Sequence, residues 1–264
     1  MTIVVKVGGA VGNATDNVLD DLAGRRDFVL VHGGSEEIDR LGAALGRPAE
    51  HYTSPSGVVS RRCDPAHLET VVLALAGKVQ TDLVAGLGRR GVRAVGLSGV
   101  DGRLLRARRK TGARAVVEGR VIHLADDLAG TVEQVDTQLL RSLLELGVAP
   151  VVGPPAVTED GVVVNVDADA IAAAVAGALG AEALLLLTNV PGLLRSPEDL
   201  SSVIPSVDRA GFDAALALAG GRMKKKLLAA REALNAGVGK VVIGPSQADG
   251  PVGQALEGWG TVFT

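Results

Sequence analysis

Short apolar runs, each ending in glycine or a small polar residue, constrain the fold of this chain more than any other feature. They occupy residues 3–7, 28–31, 94–97, 148–152, 183–187 and 241–243. The residues directly after them are Gly8-Gly9, His32-Gly33-Gly34-Ser35, Ser98-Gly99, Gly153-Pro154-Pro155, Thr188-Asn189 and Gly244-Pro245. Apolar runs this short, without alternation, predict strands buried on both faces. Helical spacing fills the gaps, most clearly over 36–45, 68–87, 135–146, 169–179 and 223–236. Strand alternating with helix predicts an α/β fold: a three-layer α/β/α sandwich around a mainly parallel central sheet. Ligands of such sheets bind beyond the carboxyl ends of the strands, and every glycine-rich segment falls there.

The chain of 264 residues suffices for one domain, 1–264, built from two lobes that divide near 150–180. A hydrophobic fraction of 47% with 22% charged residues excludes wholesale disorder. Lys and Arg total 27 against 30 for Asp and Glu, which excludes a generally basic nucleic-acid coat. Aromatic residues, at 2%, are too few for base-stacking platforms, so Val, Leu, Ile and Ala must form the core. The single cysteine, Cys63, supports neither an internal disulfide nor a Cys-rich zinc site and fits a reducing compartment. Residues 1–10 lack the pattern of a signal peptide, and no apolar stretch approaches the ~20 residues that span a bilayer. A cytoplasmic protein with neither a membrane nor a nucleic-acid partner is expected.

Two segments depart from the alternation. Residues 103–120 are short, irregular and basic, with seven cationic residues (Arg103, Arg106, Arg108, Arg109, Lys110, Arg114, Arg120) against Glu118, a local charge of +6. With 116–124 they read as hairpins on a rim. Residues 191–208 form a loop-rich excursion.

Several residues carry chemistry. Lys6 interrupts an apolar strand just before Gly8-Gly9; it either reaches a phosphate or points to water from an edge strand. His32-Gly33-Gly34-Ser35 leads into a helix, which suits either an anion cradle or a tight turn. His32 fits a structural role better than that of a base. Asn165-Val166-Asp167-Ala168-Asp169 opens the next helix with three alternating polar side chains, more than one cap requires. In 223–236, Met223, Leu227 and Leu234 mark the apolar face. Lys226 falls about 60° from Met223, at the boundary of that face, and is the inward lysine, whereas Lys225 points almost opposite and Lys224 sideways, both into solvent. A lysine near a helix N-terminus opposes the dipole unless an anion is present. No Walker-type phosphate loop occurs, and Gly86-Leu87-Gly88-Arg89-Arg90-Gly91 comes after a helix, the wrong order for a dinucleotide fingerprint.

In this order, Lys6-Val7-Gly8-Gly9, His32-Gly33-Gly34, Asn165 through Asp169, Thr188-Asn189-Val190-Pro191-Gly192-Leu193, Met223 to Lys226 and Gly260-Thr261 resemble the amino acid kinase family over nearly the whole chain. Three further segments resemble the branch acting on amino acids attached to a LysW-type amino-group carrier protein. They are Thr53-Ser54-Pro55-Ser56-Gly57-Val58-Val59-Ser60-Arg61, Gly99-Val100-Asp101-Gly102-Arg103-Leu104 and Arg108-Arg109-Lys110-Thr111. Acetylglutamate kinases usually carry Gly-Leu-Arg-Val-Thr where Gly57-Val58-Val59 stands here.

The resemblance implies an amino acid kinase (carbamate kinase-like) fold, with the lobe of about 1–165 binding the acceptor and dimerising and that of about 166–264 binding ATP. It implies transfer of the γ-phosphoryl of ATP, with Mg²⁺, to the side-chain carboxylate of carrier-bound 2-aminoadipate or glutamate, in lysine or arginine biosynthesis. Lys6, Lys226 and Asp169 would be catalytic. Gly33, Gly34, Arg61 and Asn165 would bind the acceptor. Lys6, Gly8, Gly9, Thr188, Asn189, Val190, Gly192, Leu193 and Lys226 would bind ATP. The acidic carrier would dock on Arg103, Arg106, Arg108, Arg109 and Lys110. No dedicated protein metal site is expected, and the chain would form a homodimer. The nearest alternative is an N-acetylglutamate kinase; one of another class is a non-catalytic regulatory or nucleotide-binding member of the fold.

Overall fold

A computed structural model describes residues 2–9, 12–53, 55, 59–117 and 120–264. Its main sheet has eight strands, in the order Ser206–Val207, Thr261–Phe263, Lys240–Pro245, Ala183–Thr188, Ile3–Val7, Phe28–His32, Ala149–Gly153, Ala94–Ser98. Neighbours run parallel, except that Thr261–Phe263 is antiparallel to Lys240–Pro245. Six of these strands are the apolar runs of the sequence, and the sheet joins residues from both halves of the chain along the seam between Ile3–Val7 and Ala183–Thr188.

Side chains alternate between the faces of a strand, and the two faces have separate cores. Val4, Val29, Val31, Leu184 and Leu186 pack with Ile171, Val175, Leu227 and Ala230 of the helices Ala168–Leu179 and Gly221–Asn235. Ile3, Val5, Leu30 and Leu185 pack with Val18, Leu22, Leu83, Leu87 and Val252 on the opposite face. This is the three-layer sandwich expected from the apolar runs. The same alternation directs Lys6 to the face of Val4, where Ala168–Leu179 and Gly221–Asn235 begin. Lys6 stands opposite Leu186 and Val31 in the sheet interior and is 5% exposed, so the edge-strand reading does not hold.

The structure corrects several local expectations. The helix read over 135–146 is Thr137–Glu145; Val135 ends the strand Gly130–Val135, and Asp136 caps the helix by accepting from the N–H groups of Gln138 and Leu139. Residues 105–109 form no hairpin with residues 114–117. Leu105–Arg109 lies antiparallel to Gly130–Val135 and parallel to Ala156–Val157, in a second sheet of four strands, while Arg114–Val117 and Arg120–His123 form the rim hairpin. Three short helices, Thr15–Ala23, Phe212–Leu218 and Pro251–Leu256, add to those expected from the apolar spacing.

The helix read over 68–87 runs from Pro65 to Arg89, with a π-helical stretch at Leu73–Val79. By length and composition alone this helix would cross a membrane. Here its inner face, Val71, Ala74, Leu75, Leu83 and Leu87, is buried in the protein.

The turns at the carboxyl edge are packed backbone on backbone. A β-carbon on Gly9 would lie 2.2 Å from Gly34 Cα and 2.3 Å from Gly34 N. Gly9 O accepts from Glu36 N at 2.9 Å and from Ser35 Oγ at 3.1 Å. Gly9→Ala is therefore expected to cost about 1–3 kcal/mol in urea unfolding by overpacking. Gly24→Ala, where nothing lies within 4 Å of the new methyl group, serves as the control and should change stability by less than about 0.5 kcal/mol.

Candidate active site

Asp169 lies in the first turn of Ala168–Leu179, where a carboxylate is favoured by the helix dipole. Asp167 caps that helix, accepting from Asp169 N at 2.9 Å. The Asp169 carboxylate receives two ammonium groups. Lys6 Nζ is 2.8 Å from Oδ1, and Lys226 Nζ is 3.0 Å from both oxygens. All three residues are buried, at 5–6% exposure. Lys226 points inward as the helical phase requires, while Lys224 and Lys225 are exposed and Lys225 meets Asp167 at 3.3 Å.

Burial alone would raise the Asp169 pKa, but Lys6 and Lys226 overcome it and hold the carboxyl down at about 2. Burial, helped by repulsion from Lys6, lowers the Lys226 ammonium to about 8 against the pull of Asp169. Two ammonium groups on one carboxylate leave an excess positive charge in a nearly dry setting, and an anion is the group that would balance it.

The glycine turns frame this triad. Gly8 N donates to Leu187 O at 3.1 Å, and Gly33 N to Val7 O at 3.4 Å. A β-carbon on Gly8 would come within 3.0 Å of the Asn13 amide. The loop after the first strand is tied to the segment after Lys240–Pro245: Ala14 N donates to Ser246 Oγ at 3.1 Å, and Asn17 Nδ2 to Gln247 O at 3.1 Å. Thr188 ends its strand and accepts from Ser246 N at 2.7 Å. Leu193 is buried, its N–H held by Thr261 Oγ1 at 2.8 Å, and Gly192 lies so close to Thr261 that a β-carbon would be 2.7 Å from Oγ1. Asn189 is exposed and Val190 half-buried on the same loop. Ser246 and Gln247 were not singled out from the sequence; the small polar residues after Pro245 carried the signal.

Arg61 and Asn165 belong to segments that Leu128 brings together. Leu128 N donates to Cys63 O at 2.7 Å, and Leu128 O accepts from Asn165 N at 2.8 Å. Arg61 is engaged by Asp39 at 2.8 Å. Asn165 lies beside Cys63, whose thiol is pushed up to about 12 by burial and the nearby Asp127 and Asp64 carboxylates. Of the segment 53–61, Ser54, Ser56, Gly57 and Val58 lie outside the described residues, as does Glu118 of the rim.

His32 is fully buried, and burial lowers its imidazole to about 4, so it is neutral near pH 7 and is no solvent-exposed base. The basic rim is less cationic in space than in sequence. Arg103 and Arg106 both face Glu159, at 3.7 and 3.5 Å, and Arg108 meets Glu133 at 2.7 Å. Arg109 donates to the Asp127 and Ala125 carbonyls at 2.7 Å each. Arg103 and Arg106 line an open cavity of about 360 Å³ together with Gly102, Asp136, Thr137 and Glu159. Among the described residues no cluster of three His, Cys, Asp or Glu side chains could hold a metal ion.

Known proteins resemble this chain in sequence and in fold. Residues 1–245 match the profile of the amino acid kinase family. A LysW-aminoadipate kinase from Deinococcus radiodurans is 48% identical over 99% of this chain and 91% of its own length. The LysW-aminoadipate kinase of Thermus thermophilus is 45% identical over 98% and 99%. An acetylglutamate kinase from Myxococcus xanthus is 41% identical over 91% of this chain and 80% of its own. Among solved structures, N-acetylglutamate synthase from Neisseria gonorrhoeae superposes with a TM-score of 0.77 at 28% identity; this chain covers 59% of that protein. Carbamate kinase from Giardia lamblia shares the fold alone, with a TM-score of 0.67 at 14% identity over 99% of this chain and 98% of its own. With its profile, its long relatives and its fold in agreement, the chain belongs to the amino acid kinase family.

Proposed function

We propose that this kinase transfers the γ-phosphoryl group of ATP to the side-chain carboxylate of 2-aminoadipate or glutamate carried on a small acidic LysW-type protein, giving an acyl phosphate. The observation that carries the reading is the buried Lys6–Asp169–Lys226 cluster at the carboxyl edge of the sheet. The carrier enters from the names of the two relatives at 48% and 45% identity.

A carboxylate acceptor is ionised and nucleophilic at neutral pH, so the reaction needs no general base. The barrier lies in bringing two anions together. Lys6 and Lys226 offset that repulsion, and a low-dielectric setting strengthens their effect as charge gathers on the migrating phosphoryl oxygens. Asp169 keeps the two ammonium groups in register instead of letting them repel each other. Gly8, Gly9, Gly33 and Gly34 let the backbone come close to the phosphates, since no side chain intervenes, and the N–H groups of Gly9 and Gly34 are the donors, those of Gly8 and Gly33 being held by the Leu187 and Val7 carbonyls. Thr188, Asn189, Val190, Gly192 and Leu193 line the nucleotide, fixed from behind by Thr261. Mg²⁺ arriving on ATP supplies further neutralisation of the phosphates, consistent with a site that offers it few carboxylates of its own. Arg61 and Asn165 take the α-carboxylate end of the acceptor, with Arg61 exchanging Asp39 for it. A cytoplasmic homodimer completes the reading, from likeness to the family.

A free N-acetylglutamate acceptor is the second reading, favoured by the Myxococcus relative. Turnover of ATP is expected with carrier-bound aminoadipate or glutamate and to be much weaker with N-acetylglutamate; the reverse order would establish the second reading.

Arg103, Arg106, Arg108, Arg109 and Lys110 form the proposed docking face, which steers an acidic carrier by long-range attraction. Arg109 also ties two carbonyls, so the informative variant reverses only Arg108 and Lys110 to Glu. It should raise KM for carrier-bound acceptor by about tenfold at low salt and leave ATP binding unchanged, since rim charges act mainly on encounter. Unchanged carrier kinetics would remove docking from this face.

Lys226→Ala should lower kcat by about 10²–10³ with little change in acceptor KM, because the lysine acts on the transition state. A rise in KM alone would contradict that role.

Lys226 also predicts a pH signature. Its pKa of about 8 in the free protein must rise when a polyphosphate approaches, because a nearby anion favours the charged form. ATP binding should therefore take up protons above about pH 8 and not at pH 6, as read by calorimetry in buffers of different ionisation enthalpy. Lys226→Met should abolish the uptake.

A further inference from the structure

We propose that His32 and Gln80 form a buried positioning pair that fixes the peptide plane between Gly33 and Gly34 and so turns the Gly34 N–H away from His32, as a donor at the carboxyl edge of the sheet. The catalytic meaning of that N–H rests on the phosphoryl-transfer reading; the arrangement itself does not.

His32 lies on the face of its strand opposite to Lys6 and is fully buried. Its Nδ1 stands 3.3 Å from Gly33 O. A carbonyl oxygen only accepts, so Nδ1 must carry the proton. Burial keeps the ring neutral, and a neutral imidazole has one N–H, so Nε2 is bare and needs a donor. The Gln80 side-chain amide is the group facing it, with Oε1 3.5 Å away. Two acceptors facing each other would repel. A half-turn of the amide brings its NH₂ to Nε2 in the same volume, and oxygen and nitrogen differ there only in the hydrogen-bond network they satisfy.

The surroundings are shaped for these two side chains. A β-carbon on Gly153 would lie 2.4 Å from His32 Nε2, and one on Gly96 would lie 2.6 Å from Gln80 Cγ and Nε2. Both glycines sit on neighbouring strands of the sheet and leave room for nothing larger. Gln80 directly follows the π-helical stretch Leu73–Val79. A π turn bonds residue i to i+5, which stacks Leu75 and Gln80 on one face. In an α-helix the same two residues would diverge by about 140°. The wider turn lets one stretch do two things. Leu75 and Val79 close on Gly34, where a β-carbon would meet their methyl groups at 2.5 and 3.0 Å, and Gln80 holds His32.

Peptide geometry supplies the consequence. In a trans peptide the C=O and N–H point in opposite directions. Holding Gly33 O against His32 therefore turns the Gly34 N–H to the side away from His32. Gly34 is buried, and its N–H has no acceptor among the described residues. A buried amide without an acceptor is costly, and a phosphoryl oxygen would satisfy it.

Two measurements test the pair. In protein labelled with ¹⁵N-histidine, the His32 ring, identified by its absence in His32→Asn, should be the neutral Nδ1–H tautomer at neutral pH. An Nε2–H tautomer or an imidazolium would overturn the proposal, whatever the acceptor proves to be. In kinetics, His32→Asn keeps an N–H close to the position of Nδ1 and should hold kcat within about threefold of the unmodified protein. His32→Leu, similar in volume but without a donor, should lower kcat about tenfold or more with the ATP KM unchanged, the size of one lost transition-state donor at the low end. Equal losses in the two variants would overturn it. Should His32→Leu fail to fold, Gln80→Met replaces it: a mixture of ring tautomers and a fall in kcat are expected, and an unchanged ring with unchanged kcat refutes the pairing.

Discussion

One carboxylate holding two ammonium groups out of water is the constraint around which the carboxyl edge of this protein is organised. Burying either lysine alone would cost several kcal/mol, and Asp169 offsets that cost for both. The three residues come from a strand and two helices that pack on one face of the sheet. The cluster is thus a tertiary contact between the beginning, middle and end of the chain, and it exists only when all three elements are docked. It is also incomplete by itself, since one negative charge cannot neutralise two positive ones.

The glycine turns acquire their meaning from that excess charge. Gly9 and Gly34 touch through backbone atoms, so the loops after two adjacent strands form one surface. Other glycines make room instead: Gly153 and Gly96 admit an imidazole and an amide behind that surface, and Gly192 admits the Thr261 hydroxyl. Ser246 and Thr261, both fully buried, brace the loops at Ala14 and Leu193 from positions late in the chain. The rigidity needed to place donors within a few tenths of an ångström therefore comes from residues that do not themselves face the edge.

Much of this was legible in the sequence, because its strongest signals are local and repetitive. Unalternating apolar runs marked the central strands, and helical phase placed Lys226 inward and Lys225 outward. Lys6 stayed ambiguous until the sheet order put its strand in the interior, which is a long-range fact. The boundary at Val135 was misplaced because an apolar strand residue extended the apparent helical spacing by one step, ahead of the Asp136 cap. The charge of the rim was overcounted because Glu133 and Glu159, its partners, are distant in sequence. The Arg61–Asp39 pair was not visible for the same reason, since it joins a strand to a helix residue 22 positions earlier. The π turn left no mark on the apolar pattern, so neither Gln80 nor its contact with His32 was visible.

The sheet order also bears on how the molecule is made. Ile3–Val7 pairs on one side with Phe28–His32, close in sequence, and on the other with Ala183–Thr188, far away. A strand buried along its whole length therefore waits with one bare edge while well over half of the chain emerges. Closing so long a loop before any contact rewards it slows folding, and an unsatisfied apolar strand edge invites pairing with another chain. A nascent chain of this protein consequently stays open to pairing through the Ile3–Val7 edge until Ala183–Thr188 has been made.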